Sequence, residues 1–252
     1  MEIRRYTSND RKQISNLLSS EWNYEEELFT WKYEKNPYCL EPFCYVCTDK
    51  EKIIGFRGFY EIDYSFQGYK IKVLSPSDVF VSKDFRRQGI FNRMNTFALE
   101  DIKKNIKTHI FLNLSSNEKS TPGYLKQGWK KGFDKDVFVY KNLPGITKGK
   151  SSSFPFFNKL AFVNLKKKPK FHFNNRIVAT RKAYPKMMYD LWKRTNDKSK
   201  ISILKNLKFF DWIIKNPKSK KIFLYNIDSQ GKLLSYIILN EIDNNKCFMI
   251  DY

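Results

Sequence analysis

Residues 81–94 read Val-Ser-Lys-Asp-Phe-Arg-Arg-Gln-Gly-Ile-Phe-Asn-Arg-Met, the end of a strand followed by a basic turn and the start of a helix. Arg86 and Arg87 place two cations in the turn, and Gln88 and Gly89 let the backbone turn tightly. The first amides of the helix have no partner within the helix, so they are free to donate hydrogen bonds to an anion. The stretch therefore predicts a phosphate-binding loop and the order strand, loop, helix around it.

The composition is that of a folded chain with a strong positive charge. Of 252 residues, 41% are apolar and 17% are aromatic, and the formal net charge is +21. Residues 1–150 carry 26 Lys and Arg against 19 Asp and Glu, a net +7, while residues 151–252 carry 21 against 7, a net +14. A surplus of this size attracts nucleic acid or anionic lipid, although lysines at this density also form an ordinary solvated surface. The excess lies mainly outside the half that holds the phosphate-binding loop.

The cysteines predict free thiols and no metal site. Cys44 and Cys47 lie in Phe43–Cys47, an alternating run that is typical of a strand, so we expect their thiols on opposite faces. Free buried thiols are typical of a reducing cytoplasm. The first residues lack the apolar core of a signal peptide, and no apolar run reaches membrane-spanning length. We therefore expect a cytoplasmic protein with no transmembrane segment, and its oligomeric state stays open.

Periodicity and turn signals predict the elements of the first half. Asn9 or Asp10 is expected to cap the first helix, which carries Ile14, Leu17 and Leu18 on one face. The other expected elements are a strand Glu2–Tyr6, a helix Glu25–Lys35, strands Phe43–Thr48, Ile53–Phe66 and Tyr69–Ser82, a helix from the loop to Lys104, a strand Thr108–Leu114, a helix Thr121–Gln127 and further strand from Trp129 to Lys141.

The second half repeats part of the first after a turn-rich linker at Leu143–Ser153. The linker is followed by an aromatic helix candidate at Phe156–Leu165, which we expect to pack between domains, with contact to a membrane surface as the alternative. The pattern Phe29-x-Trp31 followed by Asn36-Pro37 recurs as Phe210-x-Trp212 and Asn216-Pro217. The second copy ends where the first enters its phosphate-binding loop. We therefore expect one complete site, in the first half.

A second motif, residues 117–129, reads Asn-Glu-Lys-Ser-Thr-Pro-Gly-Tyr-Leu-Lys-Gln-Gly-Trp. This pattern and the loop Arg86-x-x-Gly89-x-Phe91, in this order, resemble the acetyl-CoA-dependent N-acetyltransferases of the GNAT superfamily, of the type with two lobes. Family members usually carry Gly or Ala at the position of Phe91.

The resemblance implies an α/β (α+β) fold, with a mixed, mostly antiparallel twisted sheet flanked by helices and followed by a partial second lobe. It predicts an acetyltransferase domain over residues 1–145, a linker and connecting helix over 146–175, and a degenerate GNAT-like lobe over 176–252. It also implies acetyl-CoA as co-substrate, with no metal. The residues expected to bind acetyl-CoA are Phe80, Val81, Arg86, Arg87, Gln88, Gly89, Ile90, Phe91, Asn92 and Asn117.

The implied reaction is acyl transfer from the thioester to an amine, the EC 2.3.1 class. Tyr124 would donate a proton to the leaving thiolate as general acid. Asp78 is the first candidate for the general base, because a charged residue beside the apolar Val79–Val81 is costly unless it is partnered or useful. Glu61, with Asp63 on the same face of the neighbouring strand, is the alternative. Packing of the Tyr124 ring beside Trp129 and a structural hydrogen bond for Asp78 are the competing interpretations.

The acceptor is expected to be a primary amine of a small molecule, with an amino sugar as one candidate. Two other functions stay open. A Fem-type aminoacyl transferase also has two GNAT-like lobes and would use charged tRNA, and a non-catalytic module would bind nucleic acid or a membrane surface through the basic half. Binding of nucleic acid is less expected than binding of acetyl-CoA, because the phosphate-binding loop is intact.

Overall fold

The structure, a computed structural model, consists of two units. The first unit comprises residues 1–135, 197–204 and 215–217, and the second comprises residues 136–196, 205–214 and 218–252. The residues that the structure describes are 1–105, 109–113, 118, 120–130, 140–141, 176–243 and 246–252. The linker and connecting helix expected over 146–175 lie outside them, so the domain boundary stays a prediction.

The described residues form a mixed series of strands and helices, with runs of consecutive strands within residues 43–81 and 220–251. The strands are β1 (Glu2–Arg5), β2 (Phe43–Asp49), β3 (Lys52–Phe66), β4 (Tyr69–Val81), β5 (His109–Phe111), β6 (Tyr140–Lys141), β7 (Arg176–Thr180), β8 (Ser202–Ile203), β9 (Lys220–Ile227), β10 (Leu233–Asp243) and β11 (Lys246–Asp251). The helices are α1 (Arg11–Ser19), α2 (Glu26–Phe29), α3 (Ile90–Asn105), α4 (Thr121–Lys126), α5 (Pro185–Thr195) and α6 (Leu207–Ile214). A π-helical turn, Thr30–Glu34, continues α2.

The first unit is built on a six-stranded sheet in the order β1-β2-β3-β4-β5, with β8 paired to β3. All of its pairs are antiparallel except β4 with β5, which are parallel. The long β3 and β4 form a hairpin, and its turn residues Gln67 (φ 50°) and Gly68 (φ 81°) have the positive φ angles of a tight hairpin turn. This hairpin is the centre of the sheet and carries Asp78 and Val81 of the candidate site.

Helices pack on both faces of this sheet. The side chains of β2 therefore alternate between two cores. Cys44 and Val46 belong to the core under α1 and α2, which includes Phe29 and Phe80. Tyr45 and Cys47 face α3 instead, in two neighbouring clusters. The prediction that Cys44 and Cys47 are free thiols on opposite faces is confirmed.

The sheet opens between β4 and β5, and this opening positions the site. In the described part of the chain, the two strands pair at Lys72–Leu74, and a final backbone bond joins Leu112 N to Leu74 O at 3.0 Å. Beyond that point β4 runs on to Val81, and none of the strand residues that the structure describes after Phe111 pairs with this part of β4 on the β5 side. A β-bulge interrupts this part of β4, because Arg57 pairs with Val79 but Gly58 pairs with Ser77. Asp78 is the extra residue, and its φ angle is +28°.

The second unit holds a five-stranded antiparallel sheet in the order β6-β11-β10-β9-β7. Helix α5 contacts β10 and packs with α6. The buried residues of this unit include Met188, Phe210, Phe223 and Tyr225.

Most expected elements of the first unit are confirmed within two residues, including the sheet type, the β3–β4 hairpin and α3. Four features differ. The strand expected over Thr108–Leu114 is observed at His109–Phe111, and Leu112 and Asn113 are not in a strand. The expected second helix is α-helical only over α2 and then becomes a π turn. Trp129 and Lys130 are not in a strand, and the strand residues Tyr140–Lys141 pair with β11 of the second sheet. The pairing of β8 with β3 was not expected, because two residues carry no periodic signal.

Gly58 is required for the close approach of the π turn to β3. A Cβ at Gly58 would collide with the ring and hydroxyl of Tyr33, which is 2% exposed. We expect Gly58→Ala to lower the free energy of unfolding by about 1–3 kcal/mol through overpacking, measured by urea denaturation. Gly55→Ala is the control on the same strand, where the nearest atoms, the end of Met94 at 3.1 Å and Cys47 Cβ at 3.2 Å, are farther away, so we expect a smaller loss. Equal losses in the two variants would contradict this account.

Candidate active site

The phosphate-binding loop forms a concave site at the start of α3. A short 3-10 turn, Lys83–Phe85, leads into it, and both Arg87 (φ 63°) and Gly89 (φ 72°) have left-handed backbone conformations. Helix α3 begins at Ile90, so its first amides border the loop. The cavity has a volume of about 250 Å³ and is lined by Val81, Phe85, Arg86, Arg87, Gly89, Ile90, Phe91 and Asn92. Seven of the residues expected to bind acetyl-CoA line this cavity; Gln88 is exposed in the same loop.

Arg86 is held in place by groups from both sides of the loop. Its Nε donates to the Val81 carbonyl at 3.0 Å, and its Nη2 donates to Glu21 Oε1 at 3.2 Å. The same Glu21 oxygen lies 3.4 Å from Lys83 Nζ. The hydrogen bond from Arg86 and the charge of Lys83 lower the pKa of Glu21, so this carboxylate is ionised at neutral pH. Glu21 therefore competes with any anion for the two cations.

Phe91 lines the cavity, and its ring packs against the ring of Tyr124. The two ring centroids are 5.7 Å apart in an edge-to-face arrangement, and Tyr124 also stacks edge-to-face with Trp129 at 5.2 Å. A Cβ at Gly123 would lie 2.9 Å from the Phe91 ring, so this glycine makes room for it. The bulky residue at the last loop position thus joins the phosphate-binding loop to the second motif.

Tyr124 is 6% exposed, and its hydroxyl accepts a hydrogen bond from Nη2 of Arg57 at 2.7 Å. Arg57 was not identified in the sequence. Its signal there is a cation inside the apolar run Ile53–Phe59, the same kind of signal that identified Asp78.

Asp78 lies in the bulge and binds three donors from one segment of the chain. Its Oδ2 accepts hydrogen bonds from Tyr24 Oη (2.8 Å), Tyr33 Oη (2.8 Å) and Lys32 Nζ (2.9 Å). Burial raises the pKa of Asp78, but the charge of Lys32 and these hydrogen bonds outweigh burial, so its pKa lies below the ordinary aspartate value. Burial and the Asp78 charge raise the pKa of both tyrosines, which therefore stay protonated as donors. The positive φ of a non-glycine residue is strained, and such strain is often kept at functional sites.

Glu61 and Asp63 lie farther along the same sheet. Glu61 is opposite Leu74, where β4 still pairs with β5, and its carboxylate forms an ion pair with Lys72. Asp63 forms an ion pair with Lys70 at 2.9 Å. The structure therefore brings Tyr124 and Phe91 together and places Asp78 in the bulge, but it does not bring Glu61 to the bulge.

Phe80 and Asn117 were also expected to bind acetyl-CoA, but neither side chain is placed at the cavity by the described residues. The side chain of Phe80 is 6% exposed in the core under α1, so only its backbone is available to a ligand. Asn117 lies outside the described residues. Within the described residues, no His, Cys, Asp or Glu side chains are grouped to hold a metal ion, and no helix combines the length and apolarity needed to cross a membrane.

Comparison with known proteins points to one family. The sequence model of the acetyltransferase (GNAT) domain matches residues 2–132. The structure is similar to that of a conserved protein of unknown function and probable N-acyltransferase from Enterococcus faecalis V583, with a TM-score of 0.63 and 14% identity over 96% of this chain. The chain spans 55% of the length of that protein.

Two further solved structures match shorter parts of the chain. A transcriptional regulator from Bacillus halodurans C-125 has a TM-score of 0.42 and 18% identity, over 54% of this chain and 97% of its own. The GNAT family N-acetyltransferase YhbS from Escherichia coli, in complex with CoA, has a TM-score of 0.36 and 19% identity, over 44% of this chain and 61% of its own. The fold class expected from the sequence, with a GNAT-like sheet followed by a second sheet, is confirmed by the Enterococcus structure.

The contacts of Asp78 predict a pH-dependent contribution to stability. We expect Asp78→Asn to lower the free energy of unfolding at pH 7 by about 1–3 kcal/mol, because it leaves the largely buried Lys32 without its charged partner. The folded-state pKa of Asp78 is lowered, so its contribution is present above the unfolded value of about 3.9 and is lost as the pH falls through the lower folded value. Urea denaturation between pH 3 and pH 7 measures the difference.

Asp190→Asn is the control for this prediction. Asp190 forms exposed ion pairs with Lys186 and Lys193 on α5, so its loss should leave stability nearly unchanged at each pH. If the free energies of unfolding of wild type and Asp78→Asn differed equally at pH 3 and pH 7, the pH-dependent contribution of Asp78 would be contradicted.

Proposed function

Because the chain belongs to the GNAT acetyltransferase family, a family of acyltransferases that use acetyl-CoA, we propose that it transfers the acetyl group of acetyl-CoA to a primary amine of a small molecule by direct attack. The observation that carries this proposal is the cavity at the start of α3, with its free amides and the cations of Arg86 and Arg87. An amino sugar is the first acceptor to test.

The groups around the cavity fit a pyrophosphate. The amides at the start of α3 present hydrogen-bond donors and the positive end of the helix dipole. Both arginines are exposed, so they can reach an anion in the loop. Arg86 and Lys83 would exchange Glu21 for phosphate oxygens, and this exchange offsets part of the binding energy.

The open side of β4 fits the extended pantetheine arm. From the bulge to Val81 this strand has left β5, so its backbone is available to pair with a ligand in the manner of an added strand. We propose that the thioester lies near the bulge, where an amide of Phe80 or Val81 polarises its carbonyl group.

The proposed chemical step needs one proton donor and one proton acceptor. The amine nitrogen attacks the thioester carbon, the carbon–sulfur bond breaks, and the thiolate takes the phenolic proton of Tyr124. The amine loses a proton to Asp78 through water. Because the pKa of Asp78 is lowered, the carboxylate passes this proton to solvent, and Tyr124 regains its own proton from solvent. Glu61 is the less favoured base because it lies beside Leu74 and is paired with Lys72.

Binding of acetyl-CoA tests the cofactor site directly. We expect titration calorimetry to detect binding to the wild-type chain, and Glu21→Gln to bind about 2- to 5-fold more tightly at low salt, because it releases Arg86 and Lys83. Glu51→Gln, in the exposed β2–β3 turn, is the matched control and should not change the affinity. Absence of binding, together with salt-dependent binding to tRNA or anionic vesicles, would favour the Fem-type or binding-module alternative instead.

Tyr124→Phe tests the proposed general acid. With release of free CoA measured over a panel of primary amines that includes glucosamine, we expect kcat to fall on the order of 100-fold. The KM for acetyl-CoA should change little, since the phenol acts on the leaving thiolate rather than on the pyrophosphate. Thermal unfolding controls for the loss of the Arg57 hydrogen bond. Equal changes in kcat and in acetyl-CoA affinity would assign Tyr124 a structural role.

A further inference from the structure

Arg57 is a buried cation that forms no ion pair with a described carboxylate, although the charge of Asp78 acts on it. It is 1% exposed on β3, and among the residues that the structure describes no Asp or Glu forms an ion pair with it. Its Nε has no hydrogen-bond partner. Burial lowers the pKa of Arg57, the direction expected for a charge removed from water. Such a residue destabilises the fold unless its charge is used.

The surroundings of Arg57 hold its guanidinium in one place. Its central carbon lies 4.6 Å from the centroid of the Phe59 ring and 5.5 Å from that of Tyr124. One terminal nitrogen, Nη2, donates to Tyr124 Oη at 2.7 Å, and the other approaches the Ser77 carbonyl at 3.5 Å. Arg57 therefore extends from the edge of the β4 bulge to the hydroxyl of Tyr124.

The direction of the Arg57–Tyr124 hydrogen bond decides what the phenol can do. Arginine has donors only, so Tyr124 Oη must be the acceptor in this bond. Its own proton then points away from Arg57 and is available to another acceptor. A cation at 2.7 Å also stabilises negative charge on the same oxygen, and it does so more strongly in a buried site than in water.

We propose that Arg57 is the positioning residue for Tyr124: it turns the phenolic proton toward the leaving sulfur and stabilises the phenolate that forms when the proton is transferred. This inference rests on the proposed role of Tyr124 as general acid. The proton moves from Tyr124 Oη to the thiolate, Arg57 keeps all of its protons, and the phenolate is neutralised by a proton from solvent. Arg57 itself does not touch the substrate.

The test compares Arg57→Met with Arg57→Lys. Methionine replaces the charge by an apolar side chain, a change that buried sites often tolerate, while lysine keeps a positive donor that can reach the same oxygen. We expect Arg57→Met to lower kcat by about 10- to 100-fold, with the KM for acetyl-CoA unchanged, and Arg57→Lys to restore a large part of the loss. Arg4→Met is the structural control: it breaks the Arg4–Asp10 ion pair (2.7 Å) and should change stability but not kcat.

A double-mutant cycle separates this inference from the proposed function. If Arg57 acts through Tyr124, adding Arg57→Met to Tyr124→Phe should cause little further loss of kcat. Should Tyr124→Phe lower kcat while the two changes multiply, or while Arg57→Met alone has no effect, the inference about Arg57 is wrong and the proposed function stands. Should Tyr124→Phe leave kcat unchanged, the proposed general acid is wrong, and the inference with it.

A spectroscopic readout does not need an acceptor. In protein with 13C-labelled tyrosine, the Cζ signal of Tyr124 is assigned by its absence in Tyr124→Phe. We expect this signal to shift in Arg57→Met and to return toward its wild-type position in Arg57→Lys, while the other tyrosine signals stay in place. An unchanged Tyr124 signal in Arg57→Met would show that the two groups do not interact, and would overturn the inference.

Discussion

The separation of β4 from β5 is the constraint on which the candidate site depends. At Lys72–Leu74, β4 pairs with β3 on one side and with β5 on the other. Among the described residues the β4–β5 ladder ends at Leu74, and the bulge at Asp78 interrupts the rest of the strand before the phosphate-binding loop. A β-bulge adds a residue to one strand and bends it locally. The β4–β5 pairing and the bulge therefore occupy different parts of β4, with the bulge four residues beyond Leu74.

Two charged residues lie at this bulge, the partly buried Asp78 within it and the buried Arg57 on β3, and the protein satisfies them in different ways. Asp78 turns toward the layer of α1 and α2, where one lysine and two tyrosines donate to a single carboxylate oxygen. Arg57 lies on the neighbouring strand, between aromatic rings, and makes its short hydrogen bond to Tyr124. The first charge joins the α1–α2 segment to the strand, and the second joins the strand to α4. The bulge is thus connected to the elements that border it.

The phosphate-binding loop shows a related balance of charge. Its cations are paired with Glu21, which limits repulsion between Arg86 and Lys83 in the absence of an anion. Such exposed ion pairs are weak, so the proposed anion would displace the carboxylate at small cost. Phe91 extends from this loop to Tyr124, and in this way the site for the anion is in contact with the proposed general acid.

The sequence by itself determined the elements and the loop, because helix and strand periodicity, turn glycines and free helix amides are local properties of neighbouring residues. It also identified Asp78 and Tyr124 as singular positions. Only the tertiary structure decided their partners. Arg57 and Tyr124 are 67 positions apart, Asp78 and its donors are 45 to 54 apart, and β8 reaches β3 from the other half of the chain. Such contacts depend on strand register and on one bulged residue, and no local pattern encodes them.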